Sequence, residues 1–154
     1  MTTTIDVLAP CPGRLLPIEK TPDPVFAGEM LGPGVAIDPE PGPTTVVAPI
    51  AGTLVAVHPH AFVVLGPDGV GVLTHLGINT VKLEGAPFEV LAAKGDAVEA
   101  GTPVVRWDPS TVSGDSISTV VPVVVMDRKP GTVVISEADD VVTGDVIFSL
   151  PPLA

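Results

Sequence analysis

Tyrosine is absent from the 154 residues and cysteine occurs once, at Cys11. A single cysteine excludes an intramolecular disulfide, a CxxC redox pair and a cysteine-rich zinc cage, and it suits a reducing compartment. Basic side chains are scarce as well: seven Lys and Arg stand against 18 Asp and Glu, a formal net charge of −11. That sign opposes wrapping of a nucleic-acid backbone or adhesion to an anionic membrane surface, and favours a basic protein partner or a cationic ligand. No apolar run approaches the length of a membrane span, and the opening MTTTIDVLAP lacks the basic region and apolar stretch of a secretory signal. The expectation is a soluble cytoplasmic protein with no direct membrane insertion, and the short ends with Met1 present favour a free-standing chain.

Hydrophobic residues make up 45% of the chain and charged residues 16%, so there is material for a core and no signature of disorder. The length fits one domain spanning residues 1–154. Nineteen prolines and 16 glycines are spread throughout, which leaves little room for helices of ordinary length. Between them lie short segments rich in β-branched residues: Val46 to Ala48, Gly52 to Val57, Ala61 to Leu65, Val70 to Leu76, Val104 to Trp107, Val120 to Met126, Val133 to Ile135 and Val146 to Leu150. Their spacing predicts an all-β sandwich or barrel. Ala86 to Lys94 and Ser110 to Ser118 are the two places where a short turn of helix is expected.

Two internal echoes point to a duplicated architecture. Ala9-Pro10-x-x-Gly13-x-Leu15 recurs as Ala48-Pro49-x-x-Gly52-x-Leu54, and Asp96-x-Val98-x-x-Gly101-x-x-Val104 recurs as Asp139-x-Val141-x-x-Gly144-x-x-Ile147, at offsets of 39 and 43 residues. Each reads as a strand entering a tight glycine turn and then a second strand. The second echo also occurs in biotinyl and lipoyl carriers. Lys20, Lys82, Lys94 and Lys129 lack the flanking residues of a carrier lysine, which argues against that reading.

The reactive inventory is short, and the histidines His58, His60 and His75 lead it. A neutral imidazole serves as nucleophile, base or metal ligand near pH 7. Gly66-Pro67-Asp68-Gly69 reads as a hairpin turn, so adjacent antiparallel strands bring His60 and His75 together across the ladder. Alternation sets His75 on a face with Leu73 and Gly77, and His60 with Phe62 and Val64. Thr74 and Thr80 are candidate donors to an anion, and Gly77 leaves room for a phosphate or a partner backbone to approach. A zinc-dependent hydrolase using His58, His60 and His75 is the alternative, because His-x-His plus a third histidine matches a three-ligand catalytic site.

The stretch from Thr74 to Phe88, THLGINTVKLEGAPF, resembles the active-site signature of the glucose-type IIA component of the bacterial phosphoenolpyruvate-dependent sugar phosphotransferase system, roughly H-x-G-I-D-T-V-x-L-x-G-x-x-F. Ala9-Pro10-x-x-Gly13, Asp23-x-Val25-Phe26-Ala27, Gly32 to Pro39, Val47 to Thr53, His60-Ala61-Phe62, Gly95-x-x-Val98-x-x-Gly101 and Ser118 to Val124 follow the family's order over most of the chain. The resemblance implies an antiparallel β-sandwich of the duplicated barrel-sandwich hybrid type. It implies that His75 accepts a phosphoryl group from phosphorylated HPr and passes it to the cysteine of the IIB domain of a membrane sugar permease, through a phosphohistidine intermediate. It makes His60 the second active-site histidine and places Val25, Phe26 and Leu31 in an apolar partner-docking region. No cofactor or resident metal is expected. Two departures stand out. Asn79 occupies the place of the usual Asp, and the segment from Gly52 to His60 is about two residues shorter than the common form, so the threonine often found before the second histidine has no counterpart and His58 stands nearby.

Overall fold

A computed structural model describes residues 4–151 of the chain. These residues form fourteen strands: β1 (Ile5–Leu8), β2 (Gly13–Pro17), β3 (Gly34–Pro39), β4 (Thr44–Val47), β5 (Gly52–His58), β6 (Ala61–Leu65), β7 (Gly71–His75), β8 (Phe88–Val90), β9 (Ala97–Val98), β10 (Pro103–Trp107), β11 (Val121–Val125), β12 (Val134–Ile135), β13 (Asp140–Val141) and β14 (Val146–Leu150). They pair antiparallel in one sheet of eight, ordered β13-β2-β3-β11-β7-β6-β5-β9, and two of three, β1-β14-β12 and β4-β10-β8. The all-β antiparallel expectation holds, and every Val-rich segment predicted as a strand overlaps one. Of the two predicted helical turns, Ala86 to Lys94 holds the edge strand β8 instead, because Phe88 stacks on Trp107 of the neighbouring β10 with ring centroids 5.5 Å apart. Ser110 to Ser118 contains only the end of a 3-10 turn at Pro109–Thr111, capped by the Asp108 carboxylate.

The duplication legible in the two sequence echoes extends to the whole topology. Read from either end, the eight-stranded sheet matches β13 with β9, β2 with β5, β3 with β6 and β11 with β7, and the two small sheets match each other. Backbone bonds repeat with it. Leu8 N–H donates to the Pro49 carbonyl at 3.0 Å and Val47 N–H to the Pro10 carbonyl at 2.9 Å. Leu15 N–H reaches the Asp139 carbonyl at 2.7 Å, and Leu54 N–H reaches the Asp96 carbonyl at 2.9 Å. The register shift between Val7 and Leu8 against β14 recurs between Pro103 and Val105 against β4. The pseudo-twofold passes between β7 and β11, where Val123 faces Thr74.

The main core lies between the small sheets and one face of the large sheet, and joins Val7, Val46, Trp107 and Phe148 to Leu54, Phe62, Val72 and Val123. A second cluster covers the other face of the large sheet: Ala61, Leu73 and Val124 pack with Ile78 and with Ile18 and Phe26 from the segment after β2. Both faces of β11 are therefore covered, which explains its unbroken apolar run Val121–Val125. In β6 and β7 the two faces divide by alternation, with Phe62, Val64 and Val72 in the main core and Ala61 and Leu73 in the second cluster.

Leu15 and Leu54 occupy equivalent core positions, 9% and 0% exposed. Leu15→Ala and Leu54→Ala should each destabilise by about 2–5 kcal/mol, with Leu15 at the lower end. Urea unfolding should show one shared transition; separate transitions, or a neutral variant, would show that the two halves do not form one cooperative core.

Candidate functional site

The β6–β7 hairpin turns over Pro67–Gly69 and pairs Ala61 with His75 and Phe62 with Thr74. His75 ends β7, and His60 precedes β6 in the two-residue turn Pro59-His60 that links His58 to Ala61. Because the strand begins at Ala61, alternation does not extend to His60. Its ring does not share the face of Phe62 and Val64 as the sequence predicts, and instead meets His75 edge-on, with centroids 5.2 Å apart and planes at 74°. The main-chain carbonyl of His60 accepts from Leu76 N–H at 2.7 Å, which ties the turn to the end of β7. His58 stacks against His60 at 5.8 Å and 30°, so the three histidines form a row rather than a cage. Among the described residues no group of three or more His, Cys, Asp and Glu side chains is arranged to hold a metal ion, and the zinc-hydrolase alternative loses its geometric basis.

The chain reverses after His75 through Leu76-Gly77-Ile78. Gly77 has φ +85°, and a Cβ there would lie 2.5 Å from both the Ser118 carbonyl oxygen and Thr80 Cγ2, so both conformation and space require glycine. Its smallness is required by this close packing. The turn points the Gly77 carbonyl at His75 Nδ1, 2.5 Å away. A carbonyl only accepts, so Nδ1 carries the hydrogen and the lone pair resides on Nε2. Thr80 Oγ1 donates to the Leu76 carbonyl at 2.7 Å and is buried, while Thr74 Oγ1 is buried and lacks a partner. Neither threonine is therefore placed to donate to an anion at the surface, contrary to the sequence expectation. Asn79 has φ +62°, and its amide donates to the Ser116 carbonyl at 2.7 Å. An ionised Asp cannot make that bond, which gives the departure at this position a structural role.

The short helix α1 (Pro24–Ala27) begins with an N-cap in which the Asp23 carboxylate accepts from Val25 N–H at 2.8 Å, with Pro24 at the first helical position. It carries Phe26 onto His75, with ring centroids 5.3 Å apart and planes at 57°. Phe26 is 6% exposed, so this residue of the expected docking region is a wall behind the histidine rather than a surface group. Val25 is 39% exposed and Leu31 is half-buried against the second cluster. Phe26 as a ring neighbour of His75, and Gly77 as the source of its acceptor, are the contacts that spacing alone did not reveal.

Burial lowers the pKa of His75, outweighing the Gly77 carbonyl and the Asp23 carboxylate, which both favour the charged ring. Burial likewise lowers His60, assisted by the charges that His75 and His58 would carry. Burial pushes the Cys11 thiol up to about 12, which removes it as a nucleophile.

Ring titration by NMR should place the His60 and His75 midpoints below the ordinary 6.5, with His75 as the Nδ1-protonated tautomer. Folded-state values below those of the unfolded chain mean that the unfolded chain binds the extra protons. Stability from the neutral rings is then complete above about pH 6.5 and is lost as pH falls through the folded-state values. His75→Gln should flatten that acid-side slope in denaturant unfolding, and an unchanged slope would contradict the assignment. Asn79→Asp should destabilise by about 0.5–1.5 kcal/mol through the lost bond to Ser116, measured by the same unfolding at neutral pH.

The architecture and the sequence have known counterparts. Residues 5–130 match the family described as phosphoenolpyruvate-dependent sugar phosphotransferase system, EIIA 1. The glucose-specific EIIA component of the phosphotransferase system of Bacillus cereus is 40% identical over 121 residues, covering 77% of this chain and 72% of that protein. Its counterpart in Staphylococcus aureus is 40% identical over 123 residues, covering 79% and 73%. The solved structure of glucose permease IIA from Mycoplasma capricolum superposes with a TM-score of 0.87 at 33% identity, over 96% of each chain. With the paired histidines, the duplicated sandwich and these likenesses together, the chain belongs to the EIIA 1 family of the phosphoenolpyruvate-dependent sugar phosphotransferase system.

Proposed function

We propose that this chain is a single-domain phosphocarrier of the cytoplasm, in which His75 accepts a phosphoryl group from phosphorylated HPr and passes it to the cysteine of a IIB domain in a sugar permease. The observation that carries this reading is the bond from His75 Nδ1–H to the Gly77 carbonyl, which leaves the Nε2 lone pair free beside His60. In the forward step a P–N bond forms at Nε2 as the bond between phosphorus and HPr breaks. In the second, the IIB thiolate takes the phosphoryl group and the bond to Nε2 breaks. The low pKa of His75 keeps the ring neutral and nucleophilic at pH 7.

The phosphoryl group brings about two negative charges to a site walled on one side by Phe26. His60 then supplies a ring N–H to a phosphoryl oxygen, a hydrogen bond to a charged group worth about 1.5–3 kcal/mol. Positioning and charge stabilisation of this kind are what phosphoryl transfer demands of a protein. Exposed Val25 and the adjoining Leu31 form the apolar part of the docking face, while Phe26 supports it from beneath. The net charge of −11 calls for Arg or Lys on both partners.

Incubation with phosphoenolpyruvate, enzyme I and HPr should label His75 in an acid-labile, alkali-stable form, and His75→Ala should abolish labelling; a label mapped elsewhere would overturn the assignment. His60→Ala should retain labelling while slowing transfer by about 10- to 100-fold. Val25→Asp should weaken HPr binding at every ionic strength, whereas added salt should lower mainly the wild-type association rate, read by stopped flow. Unchanged affinity in Val25→Asp would place the docking face elsewhere.

A further inference from the structure

The rings around His75 are held by different means. His75 is fixed by the Gly77 carbonyl, and Phe26 by burial in the second apolar cluster. His60 has neither support: it is half-buried, and no hydrogen bond orients its ring among the described residues. Its ring neighbours are His75 on one side and His58 on the other. His58 is exposed, and its main chain closes the strand before the turn. It is paired with Ala61 at the end of β5, and the Pro59 that follows it lies next to the Gly85 turn, where a Cβ on Gly85 would lie 3.3 Å from Pro59 Cγ. The turn therefore presents two imidazoles on either side of Pro59, stacked at 30°.

We propose that His58 is a positioning residue for phosphoryl transfer, its ring stacking on His60 and holding that ring edge-on to His75. Stacking takes the place of a hydrogen bond. An aromatic pair of this kind restricts ring orientation without competing for the ring nitrogens, so both nitrogens of His60 stay available, one to a phosphoryl oxygen and one to water. The arrangement follows from the short β5–β6 turn, which brings positions 58 and 60 onto one side of the hairpin end. The charges that act on His60 come from His75 and His58, while the Asp23 carboxylate acts on His75. A second effect follows: replacing His58 by an uncharged ring removes a like charge and moves the His60 titration to higher pH.

This inference rests on the phosphocarrier reading, and the experiment separates the two. Wild type, His58→Ala and His58→Phe are compared in single-turnover transfer from phosphorylated HPr and in ring titrations by NMR without phosphorylation. His58→Ala should slow transfer by about two- to ten-fold with the HPr concentration dependence unchanged. His58→Phe, which keeps the stack, should restore the rate while raising the His60 midpoint. A His58→Ala protein that transfers at the wild-type rate, or a His58→Phe protein that is as slow as His58→Ala, would overturn the positioning role. Absence of any label on wild-type His75 would instead sink the phosphocarrier reading, and the titrations would still report whether His58 and His60 are coupled.

Discussion

The bond between the His75 imidazole and the Gly77 carbonyl is the constraint on which the rest of the site depends. It is a contact between a residue and the main chain two positions ahead, so it exists only if the chain turns sharply and stays turned. Gly77 supplies the backbone conformation, the Thr80 hydroxyl secures the Leu76 carbonyl, and Ile78 and Ser118 exchange backbone bonds at 2.8 and 3.2 Å. A neutral carbonyl orients the ring without the strong pull toward the cationic form that a carboxylate in the same place would exert. The carbonyl thereby orients the ring, while burial keeps it neutral.

The duplicated fold raises the question of why such a site occurs once. The pseudo-twofold relates β7 to β11 and β6 to β3, and carries His75 onto Val124 and His60 onto Pro33. Even the backbone bond is repeated: Leu76 N–H reaches the His60 carbonyl, and Val125 N–H reaches the Pro33 carbonyl at 2.9 Å. The two halves provide the same strand scaffold and differ in side chains and in connections, since α1 lies between β2 and β3 whereas only Pro59 and His60 lie between β5 and β6. On one side of the axis the pair is imidazole and imidazole; on the other it is a proline and Val124, a member of the second apolar cluster.

Much of this was legible in the sequence because it depends on local signals. Strand segments showed as β-branched runs between turn residues, the β6–β7 hairpin showed in Gly66-Pro67-Asp68-Gly69, and the duplication showed in two short echoes. The pairing of His60 with His75 followed from the hairpin. What was not legible depends on long-range placement. The identity of the acceptor on His75 is a property of backbone direction at Gly77, and no residue type encodes it directly. The family resemblance puts Phe26 in a docking region, yet the cap at Asp23 directs it inward onto a strand remote in sequence. Alternation misplaced His60 because the strand starts one residue later. The segment around Phe88 was misread as helical because its apolar spacing is compatible with either period, and the stacking on Trp107 settles it as a strand.

The pairing of β1 with β14, in which Ile5 faces Leu150, has a kinetic side. The first and last strands of the described chain are immediate neighbours, and β12 reaches its sheet only through β14. The pairing of β12 with β14 is local, but β1 joins it from the far end of the sequence. The loop that closes it spans nearly the whole polypeptide, so its entropy is lost before most of its contacts are gained. During synthesis the β6–β7 hairpin with both histidines emerges long before β14, and the sheet that closes over the main core has to wait for β14.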